Sequence, residues 1–129
     1  FLNVNTMNYI TEEKYNSLSS GHIQKGDLVY CLRGATFGKV ARIEPFSKGA
    51  IASSLMIIRP FDVRLGNYIY WYLRSPIAYI ELHKYCNGSA QPNLAAKDVG
   101  KYLVPIPPLD EQIRIVDESI RLLAIIENM

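Results

Sequence analysis

Residues that build metal centres and disulfide frameworks are scarce in this sequence. Its 129 residues include two cysteines and two histidines. Cys31 and Cys86 have neither the close spacing of zinc ligands nor the cysteine-rich surroundings of a secreted scaffold, so they predict reduced thiols in a cytoplasmic protein. His22 and His83 lack a surrounding cluster of cysteines or carboxylates, which predicts that the chain binds no metal.

Long apolar runs are absent too. The longest, around residues 50–58, is interrupted by Ser53 and Ser54 and is far shorter than the ~20 residues of a membrane span. The chain opens on Phe1-Leu2-Asn3-Val4, without a Met or the basic segment of a signal peptide, which predicts an excerpt of a longer protein. Together these absences predict no contact with a membrane.

Enzyme signatures are missing as well. The sequence has no Gly-x-Ser-x-Gly nucleophile motif, and the segment Gly34–Lys39 lacks the spacing of a phosphate-binding loop. Asp62, Glu81 and Asp98 are scattered along the chain and do not mark a carboxylate pair. The chain is therefore predicted to have no catalytic residue and no cofactor of its own.

The composition that is present suits one folded domain with a basic body. Hydrophobic residues make up 49% of the chain and the formal net charge is +2, a combination that excludes intrinsic disorder. Residues 1–102 carry 12 Lys and Arg against 7 Asp and Glu, whereas residues 103–129 carry 2 against 5. Such a body is compatible with a polyanionic partner.

The apolar periodicity predicts an α+β fold: a small, mostly antiparallel sheet with packed helices, followed by a C-terminal helix of the coiled-coil type. Strand-forming residues around a glycine-bracketed turn predict a hairpin, and Ser75-Pro76 separates two helices. The predicted elements are a short helix capped by Thr11, a hairpin over 27–43, a strand over 50–59, helices over 67–74 and 76–85, a loop over 87–93, an extended segment over 102–107 and a helix from Leu109 to the last residue.

The C-terminal helix carries a heptad-like seam. Its apolar residues recur at alternating intervals of four and three, a pattern typical of paired helices. They are Leu109, Ile113, Val116, Ile120 and Leu123. The stripe predicts packing against the body of the chain or against another helix, including antiparallel pairing with a second copy.

Two loops hold the residues best suited to bind nucleic acid. At the hairpin tip, Arg33 has the planar fork that reads guanine, and Lys39 suits a phosphate. In the loop over 87–93, Gln91 can read adenine and Ser89 can reach a base or a phosphate. On spacing and composition alone, the simpler interpretation of both loops is a solvated turn whose glycines and proline set its shape.

Two stretches of the sequence resemble a known family. The segment from Gly26-Asp27-Leu28-Val29 to Arg33-Gly34-Ala35-Thr36-Phe37-Gly38-Lys39 is similar to the hairpin of target recognition domains. Their second signature is similar to Gly88-Ser89-Ala90-Gln91-Pro92-Asn93-Leu94, to Val104-Pro105-Ile106-Pro107-Pro108-Leu109-Asp110-Glu111-Gln112 and to Ile115-Val116. In order and spacing, nearly the whole chain resembles the DNA-specificity (S) subunit of type I restriction-modification systems.

The resemblance implies a non-catalytic subunit that recognises double-stranded DNA. Residues 1–108 would be the later part of a target recognition domain that reads one half of a bipartite site, and residues 109–129 would begin a spacer helix that pairs with a second spacer helix. The implied partners are modification subunits, which methylate adenine with S-adenosylmethionine, and a restriction subunit that uses ATP and Mg. The candidate DNA-contacting residues are Arg33, Thr36, Lys39, Ser89 and Gln91.

Two alternatives stay open at the level of sequence. The recognition domain of a fused type II restriction-modification enzyme would read DNA in the same way. A protein-interaction module would instead assemble through the helix over 109–129 and have no role on DNA. Salt-dependent binding to DNA distinguishes this last alternative from the other two.

Overall fold

The centre of the structure is a three-stranded antiparallel sheet. This computed structural model describes residues 2–44, 48–86 and 90–129. The strands are β1 (Leu28–Cys31), β2 (Val40–Arg42) and β3 (Leu55–Ile58), in the spatial order β2-β1-β3. Every residue of β1 is buried, as the continuous apolarity of this segment predicts for a central strand. The α+β class and the hairpin over 27–43 are thereby confirmed.

The third strand is shorter than the sequence predicted. The expected strand covered residues 50–59, whereas β3 begins at Leu55. The chain turns just before it, because the Leu55 amide donates to the Ala52 carbonyl at 3.0 Å. Ala50 forms only an isolated bridge with His22. The apolar run therefore extends beyond the residues that pair with β1.

Side-chain caps mark the starts of three helices. The Thr11 hydroxyl accepts a hydrogen bond from the Lys14 amide at 3.1 Å, as predicted. The Asp62 carboxylate accepts one from the Arg64 amide at 2.7 Å, so the first central helix begins four residues before the predicted position 67. The helices are α1 (Glu12–Ser17), α2 (Val63–Leu73), α3 (Pro76–Tyr85), an unpredicted short α4 (Ala96–Val99) and α5 (Leu109–Glu127), preceded by a 3-10 turn at Val4–Thr6. Within the described ranges, no helix has the length and apolar character to cross a membrane.

The main core lies between the sheet and helices α2 and α3. Leu28 and Tyr30 of β1 belong to one buried cluster with Tyr72 of α2 and Leu82 of α3. Tyr102, which follows α4, completes this cluster, and its hydroxyl lies 3.3 Å from that of Tyr30. A smaller cluster contains Ile23, Val29 and Ile43. Because successive strand residues point to opposite faces, β1 contributes to both clusters.

An extended segment over residues 103–107, here called the exit strap, leads from this core to α5. The Tyr68 hydroxyl donates to the Pro105 carbonyl at 2.5 Å, and the Tyr72 hydroxyl donates to the Leu103 carbonyl at 3.0 Å. The strap belongs to no strand of the described residues, in keeping with the prolines that the sequence places there. Tyrosine hydroxyls of α2 thus donate to strap carbonyls that would otherwise need a partner in a neighbouring strand.

A buried carboxylate also holds the exit strap. Glu81 on α3 is only 4% exposed, and its Oε2 accepts a hydrogen bond from the Leu103 amide at 3.1 Å. The hydrogen bond from Lys84, together with that amide, lowers the pKa of Glu81 below its ordinary value. At the other end of the strap, Gln112 of α5 donates to the Pro107 carbonyl at 2.8 Å. The start of α5 is therefore fixed to the core through the strap.

Candidate nucleic-acid interface

Two glycines shape the hairpin loop between β1 and β2, residues 33–39. Gly34 and Gly38 have φ values of +96° and +75°, which residues with a side chain rarely adopt. A Cβ on Gly38 would also lie 2.7 Å from Leu82 Cδ2, so the loop approaches α3 closely. The glycines therefore serve turn geometry and packing, while Arg33 and Lys39 present exposed charged side chains.

Arg33 joins the hairpin loop to two distant segments. Its Nη2 donates to the Ser53 carbonyl oxygen and to the Ser53 hydroxyl, each at 3.1 Å. Its backbone forms an isolated antiparallel bridge with Asn93, and beside that bridge the Leu94 amide donates to the Leu32 carbonyl at 3.0 Å. We call the residues brought together here, 33–39, 52–54 and 90–93, the three-loop surface.

A buried thiol stabilises the hairpin loop through two hydrogen bonds. Cys31 Sγ donates to the Arg33 carbonyl at 3.1 Å and accepts a hydrogen bond from the Thr36 hydroxyl at 3.2 Å. Thr36 therefore uses its one donor inside the loop, and its hydroxyl oxygen keeps acceptor capacity only. In this conformation the Thr36 hydroxyl stabilises the loop, and its proton is not offered to a ligand.

Four of the five predicted DNA-contacting residues are exposed on the three-loop surface. They are Arg33, Thr36, Lys39 and Gln91. Ser89 lies outside the described residues. Sequence reasoning missed Ser53, which reaches Arg33 only through the fold. The one available signal was the interruption of the apolar run by Ser53 and Ser54, which the structure explains as a turn before β3.

No carboxylate of the described ranges neutralises the cations of this surface. Among the described residues, neither Arg33 nor Lys39 forms an ion pair with a carboxylate. On α5, by contrast, Arg114 pairs with Glu111 at 2.6 Å and Arg121 with a glutamate three residues before it at 2.5 Å. The unpaired positive charge of the three-loop surface remains available to an anionic ligand.

The predicted pairing seam of α5 is divided between the interior and the solvent. Val116 is buried in the chain, where α5 packs against α2, and Leu109 and Leu123 are half-buried. Ile113 and Ile120 are 39% and 52% exposed. Three further aliphatic residues of the helix are exposed: Leu122, Ile125 and Ile126. Val116 therefore contributes to packing within the chain, and only the flanks of the helix are open to a partner.

Comparisons with known proteins show a similar fold and identify the family of this chain. The fold is similar to that of the HsdS subunit from Thermoanaerobacter tengcongensis, with a TM-score of 0.67 and 24% sequence identity. The similarity covers 87% of this chain and 30% of that one, so the chain spans less than a third of its length. Comparison with curated proteins gives no match. The family model for the type I restriction modification DNA specificity domain matches residues 1–127, and this chain belongs to that family.

Proposed function

We propose that this chain reads one half of a bipartite double-stranded DNA target as part of a type I specificity subunit. The observation that carries the proposal is the convergence of three polar segments on Arg33, which Ser53 and Asn93 hold in place. Membership in the DNA specificity family supports it. A surface built from several loops on a rigid sheet is also the usual arrangement for recognition.

The chemistry of the three-loop surface suits the edges of base pairs. Arg33 uses Nη2 for Ser53 and keeps Nε and Nη1 as donors, which can contact guanine acceptors or a phosphate. Gln91 and Asn93 carry amide groups, the side chains that match the donor and acceptor of adenine. Lys39 would supply a phosphate contact that positions the duplex without reading its sequence.

The remaining parts of the proposal concern the whole subunit. Residues 1–108 act as the later part of a target recognition domain, and residues 109–129 begin the spacer helix that docks the modification subunits. The chain is non-catalytic: adenine methylation with S-adenosylmethionine and cleavage driven by ATP with Mg belong to partner subunits. The assembly works in the cytoplasm, on double-stranded DNA.

The exposed flanks of α5 support a partner helix in this arrangement. Ile113 and Ile120 would pack against the second spacer helix in the intact subunit, or against a second copy of this chain in antiparallel fashion. Complete burial of an exposed aliphatic side chain contributes roughly 1.5–3 kcal/mol, and Ile113 and Ile120, which the chain already covers in part, would each contribute a fraction of that value. Antiparallel pairing separates the acidic starts of the two helices, where Asp110 and Glu111 lie.

Sedimentation of the chain tests the helix pairing. We expect a dimer at high concentration that Ile120→Asp abolishes without loss of helical circular dichroism, whereas Ile120→Leu retains it. A monomer for the unaltered chain at high concentration would contradict pairing through this face.

DNA selection tests the recognition proposal. The full-length specificity subunit that contains this chain would be incubated with a randomised duplex library, and bound sequences would be counted. We expect one enriched half-site whose enrichment falls with Gln91→Ala or Arg33→Ala, and a Kd that rises steeply with salt. Equal binding to all duplexes, or none at low salt, would contradict the proposal and favour a protein-interaction module.

A further inference from the structure

Two arginines outside the three-loop surface stack on aromatic rings of α2. The Arg42 guanidinium carbon lies 4.5 Å from the centre of the Tyr70 ring. That of Arg74 lies 5.3 Å from the same ring and 4.9 Å from the Trp71 ring, and Arg74 Nη1 donates to the Tyr70 hydroxyl at 3.2 Å. We call Arg42, Tyr70, Trp71 and Arg74 the α2 patch.

The α2 patch carries positive charge that no carboxylate in the described part of the chain neutralises. In the described residues neither Arg42 nor Arg74 pairs with a carboxylate, whereas Arg59 binds the buried Asp27 at 2.8 Å. Stacking engages the flat face of a guanidinium and leaves most of its N–H edge open. Two oriented guanidinium groups with open edges are suited to bind the oxygens of phosphates.

The α2 patch begins at the end of the β1–β2 hairpin that lies away from the hairpin loop. Arg42 on β2 lies opposite Leu28, at the start of β1, while Arg33 follows the end of β1. Positions 28 and 33 are five residue steps apart, a distance of about 17 Å at 3.3 Å per step of extended chain. Lys39 lies between them, since its carbonyl accepts from the Cys31 amide at 2.9 Å.

An open cavity of about 440 Å³ connects Lys39 to the α2 patch. Lys39, Tyr70 and Arg74 line it, and Glu127 of α5 contributes the acidic group of its lining. The cations outnumber that carboxylate, and the exposed side chains of Lys39 and Arg74 border the same opening. A linear polyanion that contacts Lys39 can therefore meet Arg74 across the same opening.

We propose that the α2 patch binds DNA phosphates outside the bases that the three-loop surface reads. This inference rests on the proposed function, and it names a second set of contacts. Lys39 of the three-loop surface and Arg74 of the α2 patch line one cavity, so a duplex that contacts Lys39 can reach the α2 patch as well. Contacts of this kind add affinity and set the path of the duplex, but they carry no base preference.

Salt titration of the full-length subunit tests the patch. The double variant Arg42→Gln with Arg74→Gln would be compared with the unaltered subunit on its selected duplex and on a scrambled duplex. We expect the slope of log K against log salt to become shallower by about 1.8, and both duplexes to weaken by the same factor. Arg42→Lys with Arg74→Lys, which keeps the charge, should retain the slope.

The matched control removes the same charge elsewhere. Arg114→Gln with Arg121→Gln also lowers the net charge by two, at arginines that glutamates already neutralise, and should leave the slope unchanged. If the unaltered subunit binds selectively and the patch variant keeps its slope, the patch is not a phosphate site, although the proposed function stands. Loss of modification-subunit recruitment with an unchanged slope would likewise overturn the inference. Absence of any selective binding by the unaltered subunit would contradict the proposed function itself.

Discussion

The exit strap and the three-loop surface are both irregular segments held by hydrogen bonds, but different groups hold them. Buried side chains bind the strap: Tyr68, Tyr72 and Glu81. The exposed Arg33 and a short backbone bridge hold the three-loop surface. A buried hydrogen bond is costly to leave unmade, whereas water readily replaces an exposed one. Buried hydrogen bonds thus hold the start of α5 in place. The exposed polar groups of the three-loop surface can exchange water for a ligand.

Removal of the Tyr72 side chain should produce the largest effect and should be confined to stability. Tyr72→Ala deletes a buried aromatic ring and the hydroxyl that binds the strap, so we expect a loss of about 3–5 kcal/mol in the free energy of unfolding. Tyr72→Phe removes only the hydroxyl and should cost about 1 kcal/mol. Urea unfolding measures both. Equal losses for the two variants would show that the hydrogen bond, and not the ring, carries the stability.

Arg33→Ala should weaken DNA recognition and leave the free energy of unfolding nearly unchanged. We expect a loss of about 1–3 kcal/mol in discrimination between the selected and a mismatched duplex, and a change in unfolding free energy within about 0.5 kcal/mol. Ser53→Ala should give a smaller loss in the same direction because it removes one of the two hydrogen bonds that orient the Arg33 side chain and keeps the one to the backbone carbonyl. Competition binding and urea unfolding measure the two quantities, with the exposed Lys97→Ala as control. Strong destabilisation by Arg33→Ala would show that Arg33 stabilises the fold as the strap-binding residues do, which would contradict this prediction.

Lys39→Ala should weaken DNA binding without changing base preference. One lost phosphate contact makes the slope of log K against log salt shallower by about 0.9. Lys101→Ala is the matched control, because Lys101 already pairs with Asp98 at 2.7 Å. A change in the selected sequence, measured by the duplex library, would instead assign Lys39 to base reading.

Acid should loosen the strap through Glu81. Because the Lys84 hydrogen bond and the Leu103 amide lower the pKa of Glu81 in the folded chain, its stabilising contribution is complete above the ordinary pKa of 4.5 and is lost as pH falls through the lower folded value. Glu81→Gln should remove this pH-dependent part of stability below 4.5. Thermal melts of the two proteins across that range measure it, and parallel curves would show that Glu81 does not contribute.

Many features of this fold follow from signals a few residues long. The Thr11 cap, the glycine-bracketed hairpin and the Ser75-Pro76 break each specify local backbone geometry, and all three are found where the sequence places them. The predicted ends of strands and helices were less accurate where contacts between distant residues determine them. Residues 50–54 were predicted to belong to the third strand, but a turn removes them from the sheet. The helix α4 lacks a side-chain cap and periodicity, so no local signal marked it.

The candidate site shows where sequence reasoning ends. The residue types of Arg33, Lys39 and Gln91 could be recognised as suited to DNA because that chemistry belongs to each side chain alone. Only the tertiary structure brings Ser53 and Asn93 to Arg33, since they lie 20 and 60 positions away in the chain and meet it through sheet pairing and the return of the chain after α3. The heptad pattern likewise determined that α5 is an amphipathic helix, but packing on α2 decided that Val116 is buried and Ile120 is exposed. Periodicity specifies an apolar stripe, whereas the shape of the neighbouring surface selects which part of it is covered.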